Sequence, residues 1–169
     1  ARVFALDRSA QRLKRVAANL ERLKLEAELV VANAATYDAG PFDAVLLDAP
    51  CTSTGTIRRH PDVAWTKRVG DVTALAKTQA ELIARAAALL KRGGTMVYCT
   101  CSLEPEEGEA QVTALLRRHP ELSRVPVTAD EIGGLEECVT PQGDLRTLPC
   151  QLPDPTPRQS GLDGFYAAR

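Results

Sequence analysis

Phe42–Thr56, FDAVLLDAPCTSTGT, is the stretch on which the fold turns, read together with Gly94–Glu104, GTMVYCTCSLE. Each is a run of apolar, strand-forming residues that stops abruptly and delivers polar, reactive side chains. The first delivers Asp48, Pro50 and Cys51, and the second Thr100, Cys101 and Ser102. Two buried strands are predicted to end at one place. In open parallel sheets, ligands sit in the crevice beyond the carboxyl ends of the strands, so Asp48, Cys51 and Cys101 mark the candidate active centre. Pro50 fixes its own φ and biases Ala49 toward extended backbone, so Cys51 leaves the strand in a defined direction.

Toward the N-terminus, Ala1–Leu6 (ARVFAL) reads as a strand ended by Asp7. Ser9 offers an N-cap, and Leu13, Val16, Ala17, Leu20 and Leu23 follow at helical spacing to about Lys24. An acid at a strand tip in such a unit is where dinucleotide and adenosyl folds hold ribose hydroxyls, although a carboxylate capping a helix is at least as common. Glu28–Val31 is a second strand that ends at Ala32-Asn33-Ala34, and Tyr37–Pro41 is a polar turn. Beyond Cys51 comes a long loop, Thr52–Gly70, holding Arg58, Arg59, His60 and Trp65; loops of that length tend to be functional or disordered. Asp71 is expected to cap a helix that Gly93-Gly94 closes, Thr95–Thr100 is a fourth strand, and Glu104-Pro105-Glu106-Glu107 opens another helix. From Pro120 the pattern weakens, Pro149–Pro157 fits no regular element, and short strands and mobile loops are expected until GLDGFYAA, Gly161–Ala168, closes the chain as a strand. Helix and strand alternate throughout, which predicts an α/β fold.

At 169 residues, with 44% hydrophobic and 25% charged residues, the chain has the composition of one soluble globular domain. The net charge of -1 hides an asymmetry: residues 1–25 carry seven Lys or Arg against Asp7 and Glu21, whereas 104–137 carry nine acids against three Arg. Steering toward a polyanion is therefore confined to the first half and to Arg58–Arg68, where solvated helix faces are the plainer alternative. No apolar run approaches a membrane span and no signal peptide opens the chain, which points to the cytoplasm. Five cysteines without paired spacing suggest reduced thiols, not a disulfide framework.

An Asp and two Cys at strand ends suggest three chemistries. A metal site lacks a fourth ligand at any standard spacing, since His60 and His119 are the only histidines, and no metal is expected. A cysteine protease would need a His to activate the thiol, and His60, beside Pro61 in an arginine-rich loop, is poorly suited. The third is covalent attack on an electron-poor ring. A pyrimidine carbon 5 becomes nucleophilic once a thiolate adds to carbon 6, which requires the thiolate, an acid at ring nitrogen 3 and a base for the carbon 5 proton. Cys101, Asp48 and Cys51 match that requirement in number and kind. The alternative is that both thiols simply pack, free Cys being among the most buried residue types.

At DAPCTSTGTIRRHPDVAW and GTMVYCTCSLEPEEGE the sequence resembles the Sun branch of the RNA cytosine-5 methyltransferases, bacterial enzymes of small-subunit ribosomal RNA. The likeness runs from Phe4 to DGFYAA. It implies a Rossmann-like adenosylmethionine-dependent sheet, mostly parallel with a reversed last strand, of which residues 1–169 form a partial catalytic domain starting at the second strand. It also implies that Cys101 is the nucleophile, that Cys51 resolves the covalent adduct, that Asp48 lies near base and cofactor, and that Asp7 holds the cofactor ribose. Asn33 stands where the family usually has an Asp facing the adenine amine; its amide oxygen can accept that bond without charge assistance. The family's Gly-rich cofactor loop should precede Arg2, so the chain by itself is expected to bind adenosylmethionine weakly and to be inactive. Arg58, Arg59 and Lys67 are candidates for ribosomal RNA phosphates and Trp65 for base stacking, or else Trp65 is tucked into the core. Two rivals are open: a non-catalytic RNA-binding module of the same fold, and an amino-group methyltransferase, which would place an aromatic residue where Cys51 stands.

Overall fold

The computed structural model describes residues 1–156 and 159–169, so Pro157, the end of the segment read as irregular, lies outside the described residues with Arg158. The chain divides into two compact units, Ala1–Pro41 and Phe42–Arg169.

The first unit is strand, helix, strand. β1 (Phe4–Asp7) and β2 (Glu28–Val31) pair in parallel with Asp7 opposite Val31, joined by α1 (Ala10–Leu23). Regular pairing starts at Phe4, three residues later than the apolar run suggests. Ser9 caps α1 as expected, its hydroxyl oxygen accepting the Arg12 N–H at 3.3 Å. Lys24 ends the helix in the left-handed region, at φ 55°.

The second unit is a four-stranded sheet in the order β3-β4-β6-β5, built from β3 (Phe42–Asp48), β4 (Leu90–Thr100), β5 (Leu145–Thr147) and β6 (Phe165–Ala168). β3 and β4 are parallel, β6 runs against both its neighbours, and so only the last strand is reversed. A four-residue helix, α2 (Val63–Thr66), breaks the long loop, followed by α3 (Val69–Ala88) and α4 (Glu109–Arg118). Ile83 of α3 and Val112 and Leu115 of α4 are buried with Tyr98, Tyr166, Ala168 and Ala49 in one core. No helix among the described residues is long and apolar enough to cross a membrane.

Four local readings are corrected. Arg68, not Asp71, is the N-cap of α3; the Asp71 carboxylate, three residues into the turn, accepts the Arg68 N–H at 2.8 Å. Gly93-Gly94 lies inside β4 and not at the helix end. Phe42 pairs with Leu90 but Ala44 with Thr95, and Gly93 (φ +76°) supplies the left-handed backbone that this bulge requires. β3, read as a buried strand, alternates: Val45 and Leu47 are half-buried while Leu46 is 72% exposed, the pattern of a sheet-edge strand covered on one face. Trp65 is 89% exposed, which removes the core reading of that residue.

Candidate active site

β3 and β4 deliver both thiols to one place because their register sets Asp48 opposite Cys99 and both strands point the same way. The ladder continues past β3, with the Ala49 N–H donating to Cys99 O at 3.0 Å. Three residues after Asp48 and one after Thr100, the sulfurs of Cys51 and Cys101 come within 3.5 Å of each other, both half-buried. Ser53 then turns the chain at φ +62°, a conformation uncommon outside glycine, and its Oγ lies 3.5 Å from Cys101 Sγ and 3.9 Å from Cys51 Sγ. The Gly55 N–H donates to Cys101 O at 3.0 Å, closing the first loop onto the second. The Gly164 N–H donates to Gly55 O at 2.7 Å, bringing the closing segment against both.

A proton shared across 3.5 Å resolves onto one sulfur. Cys101 is lowered to about 6, chiefly by the hydrogen bond from Cys51 and then, against its burial, by Ser53. Cys51 moves up, first because of its bond to Cys101 and then because of burial. The charge therefore sits on Cys101 and the proton on Cys51. Asp48 is exposed at the end of β3, and the buried Cys99 points its thiol at Asp48 Oδ1, 3.9 Å away. Burial, followed by that carboxylate, pushes Cys99 to about 12, which keeps it an inert packed thiol. Cys138 is buried with its thiol toward Gln151 Oε1 at 3.4 Å.

Several residues that hold this geometry were not singled out from the sequence. Glu107 is fully buried, and its carboxylate accepts the Thr52 N–H at 3.0 and 3.1 Å, the Thr52 hydroxyl at 2.5 Å and the Gln79 amide at 3.1 Å. Its backbone oxygen accepts the hydroxyls of Tyr98 and Thr100. Gln79 lies on the apolar face of α3 between Ala76 and Ile83, and a buried amide in that position was the available signal. Arg146 donates to Ser102 O at 2.7 Å, grips both oxygens of Glu109, and lies 5.0 Å over the Tyr166 ring. No periodicity marks Arg146, since its strand has three residues.

The other expected residues lie outside this cluster. Arg58 and Arg59 converge on Asp163: Arg58 Nη1 lies 3.5 Å from Oδ1, and Arg59 Nε donates to Oδ2 at 2.6 Å. Trp65 and Lys67 are exposed on and just beyond α2. In the first unit, Asp7 ends β1, its Oδ1 accepting the Ser9 N–H at 2.7 Å with Arg12 Nη2 at 3.2 Å. Asn33 follows β2, and its Oδ1 accepts the Ala35 N–H at 3.1 Å. A carboxylate and an amide oxygen at the ends of adjoining parallel strands suit the hydroxyls and amine of a nucleoside, and each acceptor oxygen has lone pairs beyond the bonds it already makes.

The family model described as 16S rRNA methyltransferase RsmB/F matches residues 1–169. Ribosomal RNA small subunit methyltransferase B from Vibrio vulnificus (strain YJ016) is 50% identical over 170 residues, 98% of this chain and 35% of that protein. Its namesake from Sodalis glossinidius (strain morsitans) is 42% identical over 173 residues, 100% of this chain and 36% of that protein. Among solved structures, NSun6 from Pyrococcus horikoshii with SFG is similar at a TM-score of 0.74 and 27% identity, over 99% of this chain and 40% of that one. The fold is thus the Rossmann-like one of adenosylmethionine-dependent methyltransferases, and the chain spans about a third of the length of the curated relatives it matches.

Proposed function

From the premise that this chain belongs to the 16S rRNA methyltransferase RsmB/F family, we propose that the whole protein methylates carbon 5 of a cytosine in ribosomal RNA through a covalent bond to Cys101. The observation that carries this reading is the pair of sulfurs 3.5 Å apart at the ends of two parallel strands, where the hydrogen bond from Cys51 favours the thiolate on Cys101. Such a thiolate is a nucleophile at neutral pH, which an ordinary buried thiol is not. Adenosylmethionine, when bound, supplies the electrophilic methyl that carbon 5 takes; Asp7 would hold its ribose and Asn33 its adenine.

The side chains divide the remaining work. Cys101 Sγ bonds to ring carbon 6 and the displaced electron pair moves toward carbon 5, while Asp48 steadies ring nitrogen 3. Forming that bond takes away the acceptor of the Cys51 hydrogen bond, which was the first cause holding the proton on Cys51. Cys51 then releases its proton to solvent and takes the one on carbon 5. The electrons of that C–H bond restore the 5,6 double bond, and the C–S bond breaks with its pair returning to Cys101. Trp65, exposed, is available to stack on a neighbouring base, and Arg58, Arg59 and Lys67 to meet phosphates. A cytoplasmic protein would meet such a ribosomal RNA substrate.

Incubating the whole protein with adenosylmethionine and RNA carrying 5-fluorocytosine tests this, because fluorine cannot leave carbon 5 as a proton does and the adduct is trapped. A denaturation-resistant complex mapped to Cys101, and lost in Cys101→Ser, is expected. A non-catalytic RNA-binding module would form no complex, and an adduct mapped to Cys51 would reverse the two cysteines' roles.

A further inference from the structure

We propose that Glu107 is a positioning residue for release of the covalent adduct, holding the peptide groups on both sides of Cys51 so that this thiol reaches the adduct. The inference rests on the cysteine mechanism above. On the C-terminal side of Cys51, the Thr52 N–H points between the two Glu107 oxygens at 3.0 and 3.1 Å. On the N-terminal side, Gln79 Nε2 donates both to Pro50 O at 2.8 Å and to Glu107 Oε1 at 3.1 Å. One carboxylate thus fixes both peptides that bracket the thiol, while the Glu107 backbone oxygen is fastened to the end of β4 by Tyr98 and Thr100.

Glu107, Gln79 and Thr52 are each 0% exposed, so their bonds are shielded from competing water. The Glu107 carboxylate accepts from three donors: one N–H, one hydroxyl and one amide N–H. The site is therefore specific for an acceptor with two oxygens. In Glu107→Gln one oxygen becomes an NH₂ group that faces a donor, so at least one tether opens. Among the described residues no hydrogen bond joins the Glu107 carboxylate to Cys101 itself, whose carbonyl accepts the Gly55 N–H and whose sulfur lies 3.5 Å from Ser53 Oγ. Loosening the bracket therefore displaces Cys51 and delays release, while Cys101 keeps its contacts to Gly55 and Ser53 and still attacks, more slowly to the extent that its bond from Cys51 weakens. A misplacement of this kind slows the dependent step by about 10- to 100-fold.

The test uses the whole protein with ordinary cytosine RNA and adenosylmethionine, following the denaturation-resistant RNA complex and the methylated product together. Glu107→Gln is expected to methylate RNA in the first turnover, to accumulate the covalent complex, and to turn over about 10- to 100-fold more slowly. A residue that only supports the fold would lose complex and product together, and that result would overturn the inference. If Glu107→Gln does not fold, Gln79→Leu decides, since it removes the Pro50 tether together with the Gln79 bond to Glu107, leaves the Thr52 bonds to Glu107 in place, and is expected to accumulate the complex as well; normal release in that variant also overturns the inference. Wild-type protein that fails to trap 5-fluorocytosine RNA would instead bring down the cysteine mechanism, so the two failures are distinguishable.

Discussion

If the proton rests on Cys51 and the charge on Cys101, the reactivity of Cys101 should follow a titration far below that of a free thiol. A thiol at the ordinary 9.0 is about 1% ionised at pH 7, whereas one lowered to about 6 is about 90% ionised, a gain of roughly ninetyfold in thiolate. The sign is that of an acid with a depressed pKa: the charged form dominates above about pH 6 and is lost as the pH falls through that value. Alkylation of Cys101 by iodoacetamide, followed site by site by mass spectrometry in the whole protein, should rise about tenfold between pH 5 and pH 7 and then level off. Cys51→Ala removes the largest cause of the lowered value, so the midpoint should move up and the rate at pH 7 should fall. Ser53→Ala should act in the same direction and less strongly, as the smaller of the two side-chain contributions. A wild-type rate still climbing tenfold per pH unit between pH 7 and 8.5, or a midpoint unmoved in Cys51→Ala, would refute the assignment of the charge.

Two further outcomes are expected. Gly55→Ala would place a Cβ 1.8 Å from Gly164 O, parting the Gly164 and Gly55 hydrogen bonds that join the closing strand to both cysteine loops. Overpacking and the two lost bonds together should cost about 2 to 5 kcal/mol, read as a lower urea midpoint, and wild-type stability would show that the contact yields freely. Trp65→Ala should weaken RNA binding by about 5- to 150-fold, corresponding to about 1–3 kcal/mol of base stacking, with stability unchanged because the ring is 89% exposed; unaltered binding in fluorescence anisotropy would remove Trp65 from the RNA surface.

The strand ends were legible because their chemistry changes within one or two residues: apolar β3 gives way to Asp48-Ala49-Pro50-Cys51, and β4 to Thr100-Cys101. Parallel pairing then places both thiols on the same edge of the sheet. The supporting residues were not legible, for reasons specific to each. Glu107 belongs to a run of acids that suits a helix start equally well, and only the fold shows its carboxylate turned inward. Asp71 has the composition of an N-cap but stands at the reciprocal position, because Arg68 already has extended backbone. Gly93-Gly94 reads as a helix stop, and its actual use as a bulge depends on the register with β3, a long-range property. Arg146 and Asp163 act through partners 37 to 105 residues away, beyond any local pattern.

The clasp of Arg58 and Arg59 on Asp163 bears on polyelectrolyte behaviour. These guanidinium groups already have an internal counter-anion, so a phosphate that engages them displaces a carboxylate, which must then gather a cation of its own. Each cation condensed on the nucleic acid that departs is thus partly offset by one recruited to Asp163. The ionic-strength dependence of association at this loop should be shallower than the about -0.7 per single-strand phosphate contact that uncommitted arginines give.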